Sequence, residues 1–218
     1  MVIFDMAGTT INDYNLSHRT LQKAFRELGL QIELGEVLQH AGKDALEAIK
    51  DILNLCRMDG TICARRIYEH YRASLFTEYA GSRPCAFDSV GEVLAILRAN
   101  DVQIVLNTVD ERATALRLIR KMGWHLSGDF DLLVTPADLG DRFPDPISFA
   151  MEQLQVSVAG QVVRVGGSMA AIEQGKNAGC GLSIGITTGA QTFRQLKDAG
   201  PDHILEDMSG LIELMFCR

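Results

Sequence analysis

Short apolar runs alternate with longer segments of helical periodicity from Asp88 to the end of the chain. The apolar runs predict buried strands at Val2–Phe4, Val102–Leu106, Phe130–Val134, Val162–Val165, Leu182–Ile186 and His203–Leu205. The segments between them predict helices at Val90–Ala99, Glu111–Met122, Pro146–Leu154, Met169–Ala178, Phe193–Ala199 and Met208–Met215. Helices that separate continuously apolar strands are typical of a parallel sheet covered on both faces. The sequence therefore predicts an α/β fold.

A helical insert is predicted directly after the first strand. Apolar residues recur at helical spacing from Leu21 to Leu28 and from Ala45 to Leu53, and a further helix is predicted at Ala64–Tyr79. We therefore divide the chain into a core of residues 1–14 and 82–218 and a helical cap of residues 15–81. Because ligands of open parallel sheets bind at the carboxyl ends of the strands, this insert would cover the ligand site.

Composition narrows the classes of partner. The 218 residues carry a net charge of −7, which argues against a nucleic-acid partner because phosphate backbones attract basic surfaces. No apolar run approaches the roughly 18 residues of a membrane span, and the first residues lack the basic region of a signal peptide. Five scattered cysteines without a C-x-x-C pair predict free thiols and a cytoplasmic location. Assembly into a homodimer stays open.

The first candidate for chemistry is the segment that follows the first strand. Asp5 ends that strand, where a carboxylate can act as a nucleophile on phosphorus or carbon. Gly8 permits a tight turn, and Thr9 and Thr10 offer hydroxyls and backbone N–H groups to a phosphate. The alternative is that Asp5 only caps the next turn.

Two further candidates lie beyond the second and third core strands. Asn107 and Thr108 end the strand at Val102–Leu106, where a hydroxyl could bind phosphate; the alternative is a helix cap. Arg142 precedes a helix marked by Pro146 and could bind phosphate or neutralise Asp5; the alternative is an exposed surface arginine.

These segments, taken in order, resemble the haloacid dehalogenase superfamily in its phosphonatase-like branch. The segments that carry the resemblance over nearly the whole chain are FDMAGTT, HAGKDALEAIKDIL, LNTVDERATA with KMGW, Arg142, VRVGGSMAAIEQGKNAGCG and ITTGAQTFRQLKDAGPDHILEDMSGL. The resemblance implies a Rossmann-like core of three layers with a small helical cap of the C1 type. It also implies a small phosphorylated or phosphonate substrate, Asp5 as nucleophile, and phosphoryl binding by Thr108 and Arg142.

The resemblance further implies Mg²⁺, held by Asp5 and the backbone carbonyl of Ala7. Gly167 and Ala171 stand where the superfamily has acids, so a bound Mg²⁺ is in doubt. Ala7 also replaces the general acid of the phosphatases. In phosphonatases a cap lysine forms a Schiff base three residues after a glycine; here the third residue after Gly42 is Ala45.

Lys43 is the nearest candidate to substitute for that lysine, and only if the turn at Gly42 is not yet helical. Its alternative role is that of a solvent-facing lysine. Three functions therefore stay open: a hydrolase of a phosphorylated or phosphonate compound, a catalytically impaired relative that binds a small anion or a protein, and a metal-independent haloacid-type dehalogenase.

Overall fold

The computed structural model describes residues 1–56, 61–140, 142–143 and 145–216, without the side chains of residues 61–63. The strands are β1 Val2–Asp5, β2 Ile11–Asn12, β3 Cys85–Ala86, β4 Ile104–Asn107, β5 Leu132–Val134, β6 Val163–Gly166, β7 Leu182–Ile186 and β8 His203–Leu205. The α-helices are α1 Leu16–Glu27, α2 Leu34–Leu38, α3 Ala45–Leu55, α4 Thr61–Gly81, α5 Val90–Ala99, α6 Arg112–Lys121, α7 Pro146–Gln153, α8 Met169–Asn177, α9 Phe193–Asp198 and α10 Gly210–Phe216. Short 3₁₀ turns occur at Pro136–Asp138 and Ala159–Gln161.

Six strands form one parallel sheet in the order β5-β4-β1-β6-β7-β8. Successive side chains of a strand point to opposite faces. Val2 and Phe4 accordingly belong to one apolar cluster, which includes residues of α5 and α6, and Ile3 belongs to another with α7. The predicted α/β fold with a parallel sheet between helices is confirmed.

The four helices α1–α4 lie between β2 and β3, in the segment for which the cap was predicted. β2 and β3 pair with each other in antiparallel register, with Ile11 opposite Ala86. The chain thus enters and leaves the helical segment through a two-stranded ribbon, which the sequence did not predict. The assignment of residues 15–81 as a separate domain stays a prediction.

The predicted strand at Val102–Leu106 begins two residues late in the structure. Val102 still donates its N–H to the carbonyl of Leu97, so it closes the turn after α5 instead of joining the sheet. Asp101 makes this turn with a positive φ of 55°. The strand then extends one residue further, to Asn107, which places that side chain in the sheet beside β1.

The predictions about cysteines and membrane-spanning segments can be compared directly with the structure. Cys56, Cys85 and Cys180 are free thiols, whereas Cys63 and Cys217 lie outside the described side chains. Within the described part of the chain, no helix is both long and apolar enough to cross a membrane.

Helix α8 approaches the sheet closely because Gly175 has no side chain. A Cβ atom at Gly175 would lie 2.7 Å from Ser183 Oγ and 2.9 Å from Arg164 Cβ. Because Gly175 has no side chain, there is space beside it for the Cβ atom of the buried Arg164.

We predict that Gly175→Ala lowers the free energy of unfolding by about 1–2 kcal/mol, because overpacking outweighs the helix propensity gained. Gly91→Ala is the matched control, since nothing lies within 4 Å of its added Cβ in α5. That variant should be more stable than wild type by up to about 1 kcal/mol. Urea unfolding measures both; equal stabilisation by the two substitutions would contradict the close approach of α8.

Candidate active site

Three neighbouring strands end side by side at the carboxyl edge of the sheet, and two of them end in polar side chains. Asp5 ends β1 in register with Asn107 of β4, and Gly166 ends β6 on the other side. A cavity of about 100 Å³ lies over this edge and is lined by Asp5, Asn107 and Thr108 from below. Asp5 and Thr108, predicted to meet at one edge of the sheet, do so.

The cap closes this cavity from above. Residues of α1, α3 and α4 and of the loop 40–43 line it. Gly42 touches the start of α8: a Cβ there would lie 2.3 Å from Ser168 Oγ. Gln191 ties the two parts together, since its side-chain amide donates to Gln39 O at 3.1 Å and its carbonyl accepts from Met169 N at 2.6 Å.

The Asp5 carboxylate is bound through one of its two oxygens. Oδ1 accepts hydrogen bonds from Arg164 Nη2 at 2.5 Å and from Asn107 Nδ2 at 3.2 Å. Oδ2 accepts none from the described residues and lies against Gly166, where an added Cβ would come within 2.5 Å of it. The side chain of Asp5 is 18% exposed. One oxygen is therefore fixed and the other is unbonded.

Arg164 is the cation beside Asp5, and sequence reasoning missed it. Its side chain is 1% exposed and lies within β6. Nη1 donates to Val165 O at 2.9 Å, and Nη2 also donates to Gln174 Oε1 at 3.1 Å. A signal existed in the sequence: a lone arginine inside an apolar strand must have a buried partner, because an unpaired buried charge is too costly.

Arg142, predicted to neutralise Asp5 or bind phosphate, does not pair with Asp5 in the structure. It forms an ion pair with Glu152 at 2.5 Å, its side chain is 74% exposed, and it does not line the cavity. The surface-arginine alternative is the one observed. Asp141 and Pro144 of the same motif lie outside the described residues.

Thr9 and Thr10 also do not reach the cavity with their hydroxyls. Both residues are fully buried, and Thr10 Oγ1 donates to the carbonyls of Asp5 and Met6. The reason is the turn at Gly8 (φ 75°), in which the N–H groups of both threonines bind the Met6 carbonyl. The predicted phosphate contacts from these hydroxyls are therefore wrong, whereas Gly8 makes the predicted tight turn and lines the cavity.

Backbone N–H groups of the cavity wall are available to an anion. Ala7 and Val109 line the cavity, and neither N–H has an acceptor among the described residues. Thr108 lies between them in the same wall; its Oγ1 accepts from Asp110 N at 3.1 Å, which leaves its own proton free to be donated. Free donors around a cleft are suited to phosphate oxygens.

Lys43 lines the cavity from the cap, before α3 begins at Ala45. Gly42 has a φ of 81°, so the turn is not helical there, which is the condition under which Lys43 could substitute for the cap lysine. Its Nζ, however, donates to Asp51 Oδ2 at 2.9 Å. Lys43 is thus near the site, and its ammonium is paired with an acid of α3.

The metal-ligand positions hold no acids and have little space for them. A Cβ at Gly167 would lie 2.6 Å from Gly189 Cα, and Ala171 is buried. Within the described residues, no group of three or more His, Cys, Asp or Glu side chains could hold a metal ion. Asp5 alone remains of the predicted acidic ligands.

Two more acidic residues, Asp13 and Asp110, line the cavity on the side of the cap. Asp13 Oδ2 accepts a hydrogen bond from Tyr79 Oη at 2.7 Å, whereas the carboxyl of Asp110 accepts none from the described residues. Burial, together with the charges of Asp13 and Glu111, raises the pKa of Asp110 to about 7. Asp110 therefore carries a proton at mildly acidic pH. The carboxylate of Asp13 is fixed in position by the hydrogen bond from Tyr79.

His18 and His40 are the two histidines among the described residues that line the cavity. Burial lowers the pKa of each, and Lys43 lowers that of His40 further. Both imidazoles are therefore neutral near pH 7. Nothing in the sequence around either histidine or Asp110 marked it as a member of the site.

The comparisons with known proteins agree with this geometry. A family model described as haloacid dehalogenase-like hydrolase matches residues 2–184. A phosphonoacetaldehyde hydrolase of Lactiplantibacillus plantarum is 29% identical over 98% of this chain and 94% of its own length. A pyrophosphatase of Listeria monocytogenes serotype 4b is 25% identical over 98% and 95%.

Solved structures show the same fold. A phosphonoacetaldehyde hydrolase-like protein from Oleispira antarctica superimposes with a TM-score of 0.81 at 19% identity, over 94% of this chain and 87% of that one. A hydrolase from Pseudomonas syringae gives a TM-score of 0.81 at 17% identity, over 98% and 94%.

We predict that Asp110 makes stability fall with rising pH. Its pKa is about 7 in the folded chain against 3.8 ordinarily, so folding retains a proton between these values that the unfolded chain has lost. Relative to Asp110→Asn, wild type should lose on the order of 3 kcal/mol of unfolding free energy between about pH 4 and pH 8. Urea unfolding across this range checks it, with the exposed Asp198→Asn as control. Parallel curves for wild type and Asp110→Asn would contradict the raised pKa.

Proposed function

Because the chain belongs to the family of haloacid dehalogenase-like hydrolases, we propose that it hydrolyses a small phosphorylated or phosphonate compound with Asp5 as nucleophile. The observation that carries this proposal is the Asp5 carboxylate at the floor of a capped cavity, with one oxygen fixed and the other unbonded. The phosphonoacetaldehyde hydrolase and pyrophosphatase among its relatives support a phosphorus-containing substrate.

The donors around the cavity suit the phosphoryl group. In this proposal its oxygens are bound by the N–H groups of Ala7 and Val109 and by the hydroxyl of Thr108. Donors fixed in a water-poor cleft stabilise charge as it develops in the transition state. The cap residues above them select the rest of the substrate.

The reaction proceeds in two balanced steps. An Asp5 oxygen attacks phosphorus, an acyl phosphate forms, and the bond to the leaving group breaks. Water then attacks the phosphorus of this intermediate and gives one proton to the Asp110 carboxylate, the bond between Asp5 and phosphorus breaks, phosphate is released, and both carboxyl groups return to their starting states. Asp110, protonated up to about pH 7 and lining the same cavity, is our candidate for the proton that the leaving group needs in place of an acid at Ala7.

Mg²⁺, the ion that this family generally uses, does not fit the residues present. Its donor set would be Asp5 and the backbone carbonyl of Ala7, without acids at positions 167 and 171, and Asp5 Oδ1 already accepts from the Arg164 guanidinium. A hard divalent ion prefers several oxygen ligands and does not gain from a cation at its coordinating carboxylate. No step of the proposed reaction therefore passes through a metal.

A second candidate function is binding of a small anion without turnover. The observation that favours it is the set of replaced positions: Ala7, Ala45, Gly167 and Ala171 all lack the chemical groups implied by the phosphonatase resemblance. The donors of Ala7, Thr108 and Val109 would still bind phosphate. Binding of inorganic phosphate with no measurable turnover of phosphate esters would support this candidate.

We predict that Asp5→Asn abolishes hydrolysis of p-nitrophenyl phosphate, by at least about a hundredfold, because the amide is not a nucleophile. Circular dichroism should show an unchanged fold. Asp198→Asn, exposed at the end of α9, is the matched control and should retain wild-type turnover.

Unchanged turnover in Asp5→Asn would remove Asp5 from the mechanism. Release of chloride from a 2-haloacid, without release of phosphate from esters, would favour the dehalogenase alternative instead.

A further inference from the structure

The positive charge next to Asp5 comes from the protein itself. Arg164 Nη2 lies 2.5 Å from Asp5 Oδ1, and the arginine side chain is 1% exposed. It is held in place by Ile3 O, Val165 O and Gln174 Oε1 in addition to Asp5. A guanidinium held from four sides is a fixed part of the core and does not exchange with solvent.

The surrounding backbone lies close to Gly167, one of the two positions at which the acids are replaced. The glycines of three segments meet there: an added Cβ at Gly8 would lie 2.9 Å from Gly189 Cα, and one at Gly167 would lie 2.6 Å from the same atom. An aspartate at position 167 would therefore require the backbone of the loop after β7 to move. The site therefore has no space for an acid at position 167, and Arg164 supplies a cation beside Asp5.

We propose that the Arg164 guanidinium takes the place of the divalent ion at Asp5, so that the site binds its anion and works without a metal. An anion that approaches a bare carboxylate is repelled, and at contact distance this repulsion is on the order of kilocalories even in a polar protein environment. Arg164 compensates the charge of Asp5 and fixes Oδ1. The unbonded Oδ2 stays available to react.

Arginine is well suited to this substitution. Its guanidinium remains charged at every physiological pH, and it is planar, so one nitrogen can bind the carboxylate while the others bind carbonyls. Unlike a bound ion, it cannot be removed by a chelator. A role of this charge in turnover rests on the proposed hydrolase function. The claim that Arg164 replaces the metal does not rest on that function.

The first experiment is metal binding by the wild-type full chain, which requires no catalysis. Electron paramagnetic resonance of Mn²⁺, titrated to millimolar concentration, should detect no bound ion beyond that in Asp5→Asn. Phosphate binding measured by calorimetry should be equal in EDTA and in Mg²⁺. A Mn²⁺ signal in wild type that disappears in Asp5→Asn, or phosphate binding that requires Mg²⁺, would overturn the proposal.

The second experiment changes the charge. Arg164→Met should weaken phosphate binding at least tenfold, whereas Arg164→Lys, which keeps the charge, should retain more of it. Arg142→Met, which removes an exposed arginine outside the cavity, is the matched control and should bind phosphate as wild type does. Equal binding by Arg164→Met and wild type would count against the proposal; if Arg164→Met fails to fold, Arg164→Lys and the wild-type metal titration decide.

Turnover separates this inference from the proposed function. Hydrolysis that is equal in EDTA and Mg²⁺ supports both. If no phosphate ester is hydrolysed, the proposed function fails, but metal-independent phosphate binding still supports the role of Arg164. Hydrolysis that depends on Mg²⁺ leaves the hydrolase function intact and overturns the replacement of the metal.

Discussion

The ion pair between Arg164 and Asp5 is the interaction on which the site depends. Burying either charge alone would cost several kilocalories per mole, and the pair is stabilised by hydrogen bonds to both Nη atoms of Arg164 and to Oδ1 of Asp5. Neighbouring features accommodate this pair: Gly175 leaves space for the arginine stem, and Gly166 leaves space for the carboxylate. The elements β1, β6 and α8 therefore pack around the charge of Arg164, which is buried from solvent.

This pair explains why replaced motif positions and a preserved cleft coexist. Loss of the acids at positions 167 and 171 would leave a metal-dependent site without its cation, whereas here a cation is part of strand β6. The cap still closes over the edge of the sheet, where Gln191 links Gln39 to the start of α8. Asp110, whose pKa burial raises to about 7, adds a carboxyl that is protonated at mildly acidic pH to a cavity in which Ala7 cannot supply one. In the proposed reaction Asp5 would be the nucleophile, Arg164 its charge partner and Asp110 the proton source, each from a different part of the chain.

Much of the fold followed from local pattern. Short, mainly apolar runs identified all six strands of the parallel sheet, since strands buried on both faces have few polar positions. Boundaries were less certain: Val102 satisfies its N–H at the end of α5, so β4 begins later and ends with Asn107. The ribbon of β2 and β3 escaped notice because each strand has two residues and their pairing joins positions far apart in sequence.

The sequence by itself determined the sheet, the helical insert and the location of Asp5 and Thr108 at one edge, because these depend on periodicity and on the shared direction of parallel strands. Only the tertiary structure decided which cation reaches Asp5. Arg142 and Arg164 carry the same side chain, but one lies on the surface beside Glu152 and the other is enclosed between β1 and α8. It also decided that the hydroxyls of Thr9 and Thr10 turn into the core and that burial raises the pKa of Asp110. Burial and charge pairing are properties of neighbours in space, and spacing along the chain does not specify them.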